Sequence, residues 1–211
     1  MGIIIQAIIC KECLNIKDFH GLGIKARESR LETRGRIKAD RSIDERPETV
    51  NDRRQFGHWE LDTVVSPRGK DKACLATFVE RQTRYDQALL IPGRTAEAMN
   101  AAVETMCARF PSDAFQTATV DRGQEFAKSD ALETERSLKF YFADPYASWQ
   151  RGTNENHNGF IREFFPKGTR FSTVTQAEVD QAVQLINQRP RRCLGWQTAQ
   201  ESFREALLHL A

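Results

Sequence analysis

Three carboxylates stand out in this sequence because of the elements on which they are expected to lie. Asp62 lies in the middle of a run of apolar and β-branched residues that is typical of a strand. Asp121 follows another such run, so we expect it at the tip of a strand, where functional groups collect in α/β sheets. Glu155 lies where a helix can start after a turn and a capping threonine. A charge inside a strand costs several kcal/mol unless a partner, commonly a metal ion, compensates it.

Asp62, Asp121 and Glu155 supply hard oxygen ligands. Mg²⁺ or Mn²⁺ binds such ligands, relieves the repulsion among clustered carboxylates and takes substrate phosphate oxygens as further ligands. Two ions about 3.5–4 Å apart can activate an attacking water or 3′-hydroxyl and stabilise the leaving oxygen of a phosphodiester. We therefore predict that these three carboxylates are catalytic metal ligands. Glu60 and Glu125 lie close to them in the sequence and are rival ligands.

One face of the helix that follows the last turn carries polar groups suited to DNA. At about 100° per residue, Glu155, Asn158 and Arg162 point to the same side. Arg162 is predicted to hold a phosphate beside the metal ions, and Asn158 to orient the same strand. Trp149 and Arg151, in the loop before the helix, are predicted to contact DNA with them. A solvated face with a helical ion pair is the alternative interpretation.

A second group of cations lies near the C-terminus. Arg189, Arg191 and Arg192 cluster with Trp196 and are predicted to form a phosphate-contacting corner, a solvated loop being the alternative. Paired carboxylates also suit glycoside hydrolysis. That chemistry leaves these arginines and the basic N-terminal region unexplained, so phosphodiester chemistry is the preferred interpretation.

The elements that must position these residues follow from the apolar patterns along the chain. The order strand-strand-strand-helix-strand-helix-strand-helix can bring the three acids to one end of a mixed α/β sheet. The expected strands span 56–65, 73–80, 86–92, 115–120 and 139–143. Helices are expected after Thr95, where apolar residues recur at three and four, around 128–137, and from about 154. Two capping boxes, Thr175 with Glu178 and Thr198 with Glu201, predict the starts of two C-terminal helices.

The composition is that of an ordinary globular protein. A net charge of +2 over 211 residues is too small to imply nucleic acid by itself. Five scattered cysteines indicate reduced thiols, so we expect a cytoplasmic protein, which would be nucleoid-associated through the predicted contacts with DNA. Cys10 and Cys13 with His20 make only a weak zinc site. The apolar run 3–9 is too short to span a bilayer and lacks the flanks of a signal peptide, so no membrane association is expected.

The chain is expected to divide near residue 50. The preceding residues are charged, poor in large apolar side chains and rich in Lys and Arg. We expect residues 1–50 to form a basic, flexible arm that neutralises phosphates, with a disordered solvated leader as the alternative. Residues 51–211 are expected to form the catalytic domain, including its C-terminal helices.

Seven blocks of this sequence resemble the signature blocks of the bacterial insertion-sequence-thirty family of transposases, which belong to the DDE (Asp-Asp-Glu) class. The resemblance runs from about Pro47 to the C-terminus, and the 33 residues between Asp121 and Glu155 agree with the family's spacing. The blocks are Gly57–Asp62, Val79–Arg84, Thr119–Phe126, Tyr141–Tyr146, Trp149–Asn156, Phe165–Thr169 and Asn187–Pro190.

The resemblance implies a ribonuclease H-like fold, a mixed five-stranded sheet flanked by helices with a helical C-terminal extension. It implies cleavage and strand transfer at the terminal inverted repeats of an insertion sequence, by an oligomer, with Asp62, Asp121 and Glu155 holding Mg²⁺ or Mn²⁺. Lys167, in one of the blocks, is expected to contact DNA. Family members carry helix-turn-helix modules before the core, so the basic arm is expected to be the remnant of a truncated DNA-binding region.

Two further functions are open for a truncated chain. It could be catalytically idle and pair with a full-length transposase as an inhibitor or assembly partner. It could also be a general nuclease of the same fold, which would be indifferent to inverted-repeat sequence.

Overall fold

The computed structural model describes residues 41–145 and 147–210. The Cys10–Cys13 pair, His20 and most of the expected basic arm lie outside the described residues. The last ten residues of that arm, 41–50, pack on the domain because Ile43 and Val50 are buried. The folded domain therefore includes residues that the sequence assigned to the arm.

A five-stranded mixed sheet forms the centre of the fold. Its spatial order is β3-β2-β1-β4-β5, with β1–β2 and β2–β3 antiparallel and β1–β4 and β4–β5 parallel. The predicted mixed sheet is thus confirmed, and each strand is one or two residues shorter than expected. The strands are β1 (His58–Val65), β2 (Cys74–Glu80), β3 (Asp86–Ile91), β4 (Thr117–Val120) and β5 (Lys139–Phe142).

Helices cover both faces of the sheet. The capping boxes at Thr175 and Thr198 are both formed, and Thr95 caps its helix through the N–H of Ala98, as expected. Among the described helices, none combines the length and apolar character needed to cross a membrane. The helices are α1 (Glu48–Asn51), α2 (Ala96–Cys107), α3 (Ser129–Arg136), α4 (Gly152–Phe164), α5 (Gln176–Asn187) and α6 (Ala199–Leu208).

Alternation along β1 divides the interior into two cores. Trp59 and Leu61 point into a core shared with α2, whose buried side chains include Met99 and Val103. Val64 points to the opposite face, into the core shared with α4 and α5. Asp62 has the same parity as Val64, so it projects toward α4, the helix that carries Glu155.

Candidate active site

The strand register brings the two aspartates together. β1 and β4 run parallel, with Glu60 beside Thr119. The same register continued by two residues places Asp62 beside Asp121, just past the end of β4. Asp121 therefore lies just past the carboxyl end of β4, the usual location of functional groups in α/β sheets, and Asp62 lies beside it in the middle of β1.

Asp62 is held from three directions. Its Oδ1 accepts from the N–H of Thr63 at 2.8 Å, and its Oδ2 accepts from Nδ2 of Asn158 at 3.2 Å. Nη1 of Arg151 lies 3.4 Å from the same Oδ2. Burial raises the pKa of Asp62, and the positive charge of Arg151 opposes that rise. The carboxylate is thus partly desolvated and depends on neighbouring charge.

Arg151 bridges the two aspartates. Its Nη2 lies 3.5 Å from Oδ2 of Asp121, while its Nη1 makes the ionic contact with Asp62 described above. Both contacts are long, and the buried Nε and Nη1 atoms have no hydrogen-bond partner among the described residues. A single guanidinium, with incomplete hydrogen bonding, therefore neutralises two carboxylates.

Glu125 and Arg94 form the adjoining part of the site. Nε of Arg94 donates to Oε1 of Glu125 at 2.6 Å, and Nη2 of Arg94 lies 4.0 Å from Oδ2 of Asp121. Burial raises the pKa of Glu125, and the charge of Arg94 counteracts that rise. Oε2 of Glu125 is buried without a hydrogen-bond partner in the described part of the chain. Glu125 is therefore a neighbour of Asp121 with an unused oxygen.

Gly123 allows the carboxylates to approach this closely. Its backbone is not left-handed, with φ of −72°, so the glycine is not required by the turn. A Cβ at this position would lie 2.7 Å from Oδ1 of Asp121 and would also collide with Glu125. Its N–H donates to that Oδ1 at 2.8 Å. The glycine is therefore required for the space that the two carboxylates occupy.

The first two turns of α4 complete a cavity of about 210 Å³. Its lining residues are Asp62, Arg151, Glu155 and Asn158. Glu155 is exposed, whereas Asn158 is half-buried and bound to Asp62. The structure therefore brings Asp62 and Glu155 to one cavity, with Asp121 joined through Arg151.

Glu60 has a different role from its neighbour Asp62. It is fully buried and forms an ion pair with Arg81, which is nearly as buried. Its Oε2 accepts from the N–H of Asn154 at 2.8 Å, in the first turn of α4. Its carboxylate is therefore used to fix the start of the helix that carries Glu155.

The donor set suits a divalent cation in part. Three carboxylates and an amide oxygen are the ligands that Mg²⁺ and Mn²⁺ prefer. Arg151 already places positive charge between Asp62 and Asp121, so that position stabilises a cation. Within 41–145 and 147–210, however, no three acidic, His or Cys side chains lie close enough together to hold one ion. Asp62 and Glu155 face the same cavity, and Arg151 links Asp62 to Asp121.

The predicted DNA-contacting residues separate into two groups. Arg162 donates to the carbonyl oxygens of Val65 at 2.8 Å and of Phe165 at 3.3 Å, so its guanidinium is partly used within the domain. Arg191 is directed inward, toward Asp86 and His157, and its side chain is only 11% exposed. These two arginines contact the protein itself.

The remaining predicted contacts face solvent to a larger degree. Trp149 is 75% exposed and lies in the same short 3-10 helix as Arg151. Lys167 and Arg192 are exposed. Arg189 is half-buried against Phe160 and pairs with Glu163 at 2.8 Å. These side chains lie outside the cavity, and only Arg151 and Asn158 of the predicted DNA contacts line it.

Sequence reasoning missed Arg94 and the buried contacts of His157. Arg94 stands just before the helix-capping Thr95, where a strand ends, and that location was the available signal. His157 lies two residues after Glu155 and binds Asp86, 71 residues away in the sequence. No local pattern identifies such a partner.

Comparison with known proteins identifies the class of this domain. Residues 52–148 match the family model described as integrase core domain. The crystal structure of the catalytic core domain of BIV integrase superposes with a TM-score of 0.57 at 17% identity, covering 72% of this chain and 96% of that one. The ribonuclease H-like fold expected from the sequence is confirmed, and the domain is an integrase-type core.

Curated relatives identify the family more closely. The chain is 40% identical over 163 residues to a probable transposase for the insertion-like element IS1161 of Streptococcus salivarius, covering 77% of this chain and 46% of that protein. It is 36% identical over 189 residues to the transposase InsI of the element IS30C of Escherichia coli K12, covering 89% of this chain and 49% of that protein. The chain belongs to the IS30 family of insertion-sequence transposases, and it spans about half the length of these relatives.

Proposed function

We propose that this chain is a DDE-class catalytic domain that carries out divalent-metal-dependent DNA strand cleavage and strand transfer at the ends of an insertion sequence. The family supports a role in transposition-related DNA recombination. The observation that carries the finer proposal is the placement of Asp62 and Asp121 on adjacent parallel strands, beside a cavity that Glu155 lines. We expect the chain to act as an oligomer or with a full-length transposase.

Asp62, Asp121 and Glu155 would hold the metal, and the integrase core family is in general dependent on divalent cations. When bound, Mg²⁺ or Mn²⁺ supplies activation of a water or 3′-hydroxyl nucleophile and stabilisation of the leaving oxygen of a phosphodiester. Asn158 keeps Oδ2 of Asp62 oriented toward the cavity through its amide N–H. Glu125, with one unused buried oxygen beside Asp121, is the best placed rival or additional ligand.

The DNA strand would lie across the end of the sheet beside α4. Trp149 offers an exposed aromatic face on which a base can stack. Lys167 and Arg192 are exposed cations suited to the phosphate backbone, and Arg189 is available at a partly exposed position. Arg162 has donors committed to the Val65 and Phe165 carbonyls, so we assign it first to positioning α4 and second to phosphate binding.

Nicking of supercoiled plasmid DNA in MnCl₂ tests the proposal, because relaxation of the plasmid reports cleavage without knowledge of the element's end sequence. We expect Asp62→Asn, Asp121→Asn and Glu155→Gln each to remove at least about 99% of the activity, as loss of a metal-held carboxylate does in such sites. Glu135→Gln, the same carboxylate-to-amide change at an exposed position of α3, is the matched control and is expected to nick at the parent rate.

Two results would change the assignment. Parent-like nicking by the Asp62→Asn variant would exclude Asp62 as a catalytic ligand. An inactive parent that co-purifies with an intact IS30-family transposase would favour the idle assembly partner over the enzyme.

A further inference from the structure

Several arginines gather where α4 begins, outside the cavity described above. Arg53 donates through Nη2 to the hydroxyl of Thr153 at 3.2 Å, and Arg84 donates through Nη1 to the same hydroxyl at 3.4 Å. Arg46 donates through Nη1 to the hydroxyl of Thr119 at 2.9 Å. We call Arg46, Arg53 and Arg84 the arginine cluster. Two of its three members converge on one neutral oxygen atom.

The arginine cluster is short of negative charge. The nearest buried carboxylate, Glu60, is already paired with Arg81. Within the described part of the chain, no member of the cluster forms an ion pair with a carboxylate. Nε of Arg46 is buried without a hydrogen-bond partner among the same residues. Glu60 is thus the buried carboxylate whose negative charge acts on Arg81, Arg46 and Arg53 together.

The lowered pKa values of two arginines in the cluster agree with this geometry. Burial, followed by the charge of Arg81, lowers the pKa of Arg46 to about 10. Burial and then the charges of Arg84 and Arg81 lower the pKa of Arg53. Like charges gathered in this way cost stability in the absence of an anion, so a ligand that supplies negative charge would stabilise them.

The backbone is also strained at this place. Arg53 has φ of 55° and Arg84 has φ of 62°, the left-handed region that residues other than glycine rarely adopt. Both strained residues belong to separate loops, and both direct their side chains to Thr153. Strain that recurs at one spot in two segments is typical of functional sites.

The location of the arginine cluster relates it to the cavity. Thr153 lies two residues before Glu155 on α4, and Thr119 lies two residues before Asp121 at the end of β4. The cluster therefore bonds to residues on both elements that carry or precede the carboxylates, β4 and α4.

We propose that Arg46, Arg53 and Arg84 bind backbone phosphates of the DNA strand next to the position of cleavage. The inference rests on the proposed function, because that function identifies DNA as the source of the anion. Guanidinium groups pair well with phosphate oxygens through several N–H donors at once. Contacts of this kind position a strand without reading its sequence.

The test measures DNA binding without catalysis. Fluorescence anisotropy with a labelled 30-base-pair duplex in EDTA, repeated over a series of NaCl concentrations, gives the dissociation constant and its salt dependence. We expect Arg53→Gln and Arg84→Gln each to weaken binding by roughly fivefold to tenfold at about 0.1 M NaCl. Each is expected to reduce the slope of log K against log[salt] by about 1, equally for duplexes of different sequence.

Matched variants separate charge from packing. Arg53→Lys retains the positive charge and is expected to restore the salt slope. Arg204→Gln removes an exposed arginine from α6, at a position distant in sequence, and is expected to leave the slope unchanged. Urea unfolding of each variant establishes that it is folded under the binding conditions.

The result that overturns this inference is an unchanged salt slope in folded Arg53→Gln and Arg84→Gln variants. If the Asp62→Asn variant still loses nicking in that case, the proposed function stands and only the arginine cluster is misassigned. If the slopes change but Asp62→Asn nicks like the parent, the phosphate contacts stand and the catalytic assignment fails.

Discussion

Helix α4 borders two clusters of ionisable side chains that differ in burial and in the lengths of their contacts. The closed cluster consists of Asp86, His157 and Arg191, and the exposed fractions of their side chains are 1%, 2% and 11%. Nδ1 of His157 donates to Asp86 at 2.6 Å, and Nη1 of Arg191 lies 2.9 Å from Nε2 of His157. Because a guanidinium only donates, Nε2 accepts and the ring proton lies on Nδ1. Nε of Arg191 is buried without a hydrogen-bond partner among the described residues, while the carboxylate and both ring nitrogens have one.

The open cluster consists of Asp62, Asp121 and Arg151. The two carboxylates are 23% and 31% exposed, and their contacts with Arg151 are 3.4 and 3.5 Å long. Buried guanidinium atoms of Arg151 lack hydrogen-bond partners among the described residues. The same helix thus has a buried carboxylate with a 2.6 Å contact to His157 on one side, and partly exposed carboxylates with contacts of 3.4 and 3.5 Å to Arg151 on the other.

The difference between the two clusters indicates that one holds α4 in place and the other keeps carboxylates available for the proposed chemistry. The closed cluster ties α4 to β3 and to the chain beyond α5, so it fixes the helix. The open cluster leaves carboxylates within reach of solvent and of a further cation. A carboxylate that the protein itself satisfied completely would have little affinity for a metal, so incomplete bonding is what the proposed chemistry requires.

Removal of one carboxylate from each cluster should give the largest contrast in stability. We expect Asp86→Ala to lower the free energy of unfolding by about 3–5 kcal/mol, because it leaves the charge of Arg191 buried without its partner. Asp62→Asn should leave stability unchanged or slightly raised, since burial raises the pKa of Asp62 and so disfavours its charged form. Urea unfolding of both variants measures the contrast. Equal losses would show that the two clusters are not built differently.

Acid should destabilise the folded domain through His58, a buried residue of β1. This side chain is 4% exposed, and burial, followed by the charges of Arg81 and Arg46, lowers its pKa to about 4. The folded pKa lies below the unfolded value of 6.5, so the unfolded chain binds the proton first as the pH falls. Stability is therefore complete above pH 6.5 and is lost progressively toward pH 4, by at most about 3 kcal/mol.

Unfolding in urea at intervals between pH 7 and pH 4.5 measures this loss. In the parent, carboxylates contribute as well, so the comparison is made with His58→Gln, whose side chain does not titrate. The difference in slope between the two proteins belongs to His58. Identical slopes would contradict a histidine that stays neutral in the folded domain.

The sequence predicted the parts of the site that depend on local pattern. Apolar runs located β1 and β4, and acids at a strand centre and a strand tip placed Asp62 and Asp121 at the same end of the sheet. The capping boxes at Thr175 and Thr198 were predictable because their bonds span three residues. Such signals are complete within a short window of sequence.

The charge partners could not be predicted in that way. Arg191 and Asp86 are separated by 105 residues, and Arg94 and Glu125 by 31. Arg191 was therefore predicted to contact phosphate, whereas in the structure it pairs with the buried carboxylate of Asp86. Side chains of this kind take their role from the fold, since any of several exposed or buried acids could have been the partner.

Removal of Arg151 should sharpen the description of the open cluster. We expect Arg151→Ala to bind Mn²⁺ about tenfold more tightly than the parent, roughly 1.4 kcal/mol, because a cation no longer competes for Asp62 and Asp121. Isothermal titration calorimetry with MnCl₂ in the absence of DNA measures this without catalysis. Arg204→Ala is the control. Weaker Mn²⁺ binding by Arg151→Ala would instead make Arg151 part of the support for the metal ligands.

The smallest effect is expected from an ion pair that is exposed on both sides. Arg189 and Glu163 lie 2.8 Å apart, but their side chains are 40% and 51% exposed, so solvent screens their attraction. Glu163→Gln should change the free energy of unfolding by less than about 1 kcal/mol, measured under the same urea conditions as Asp86→Ala. Arg189 also packs against the ring of Phe160, which keeps its guanidinium in place after the change. A loss approaching that of Asp86→Ala would mean that exposure does not separate strong pairs from weak ones in this domain, and the distinction between closed and open clusters would lose its physical basis.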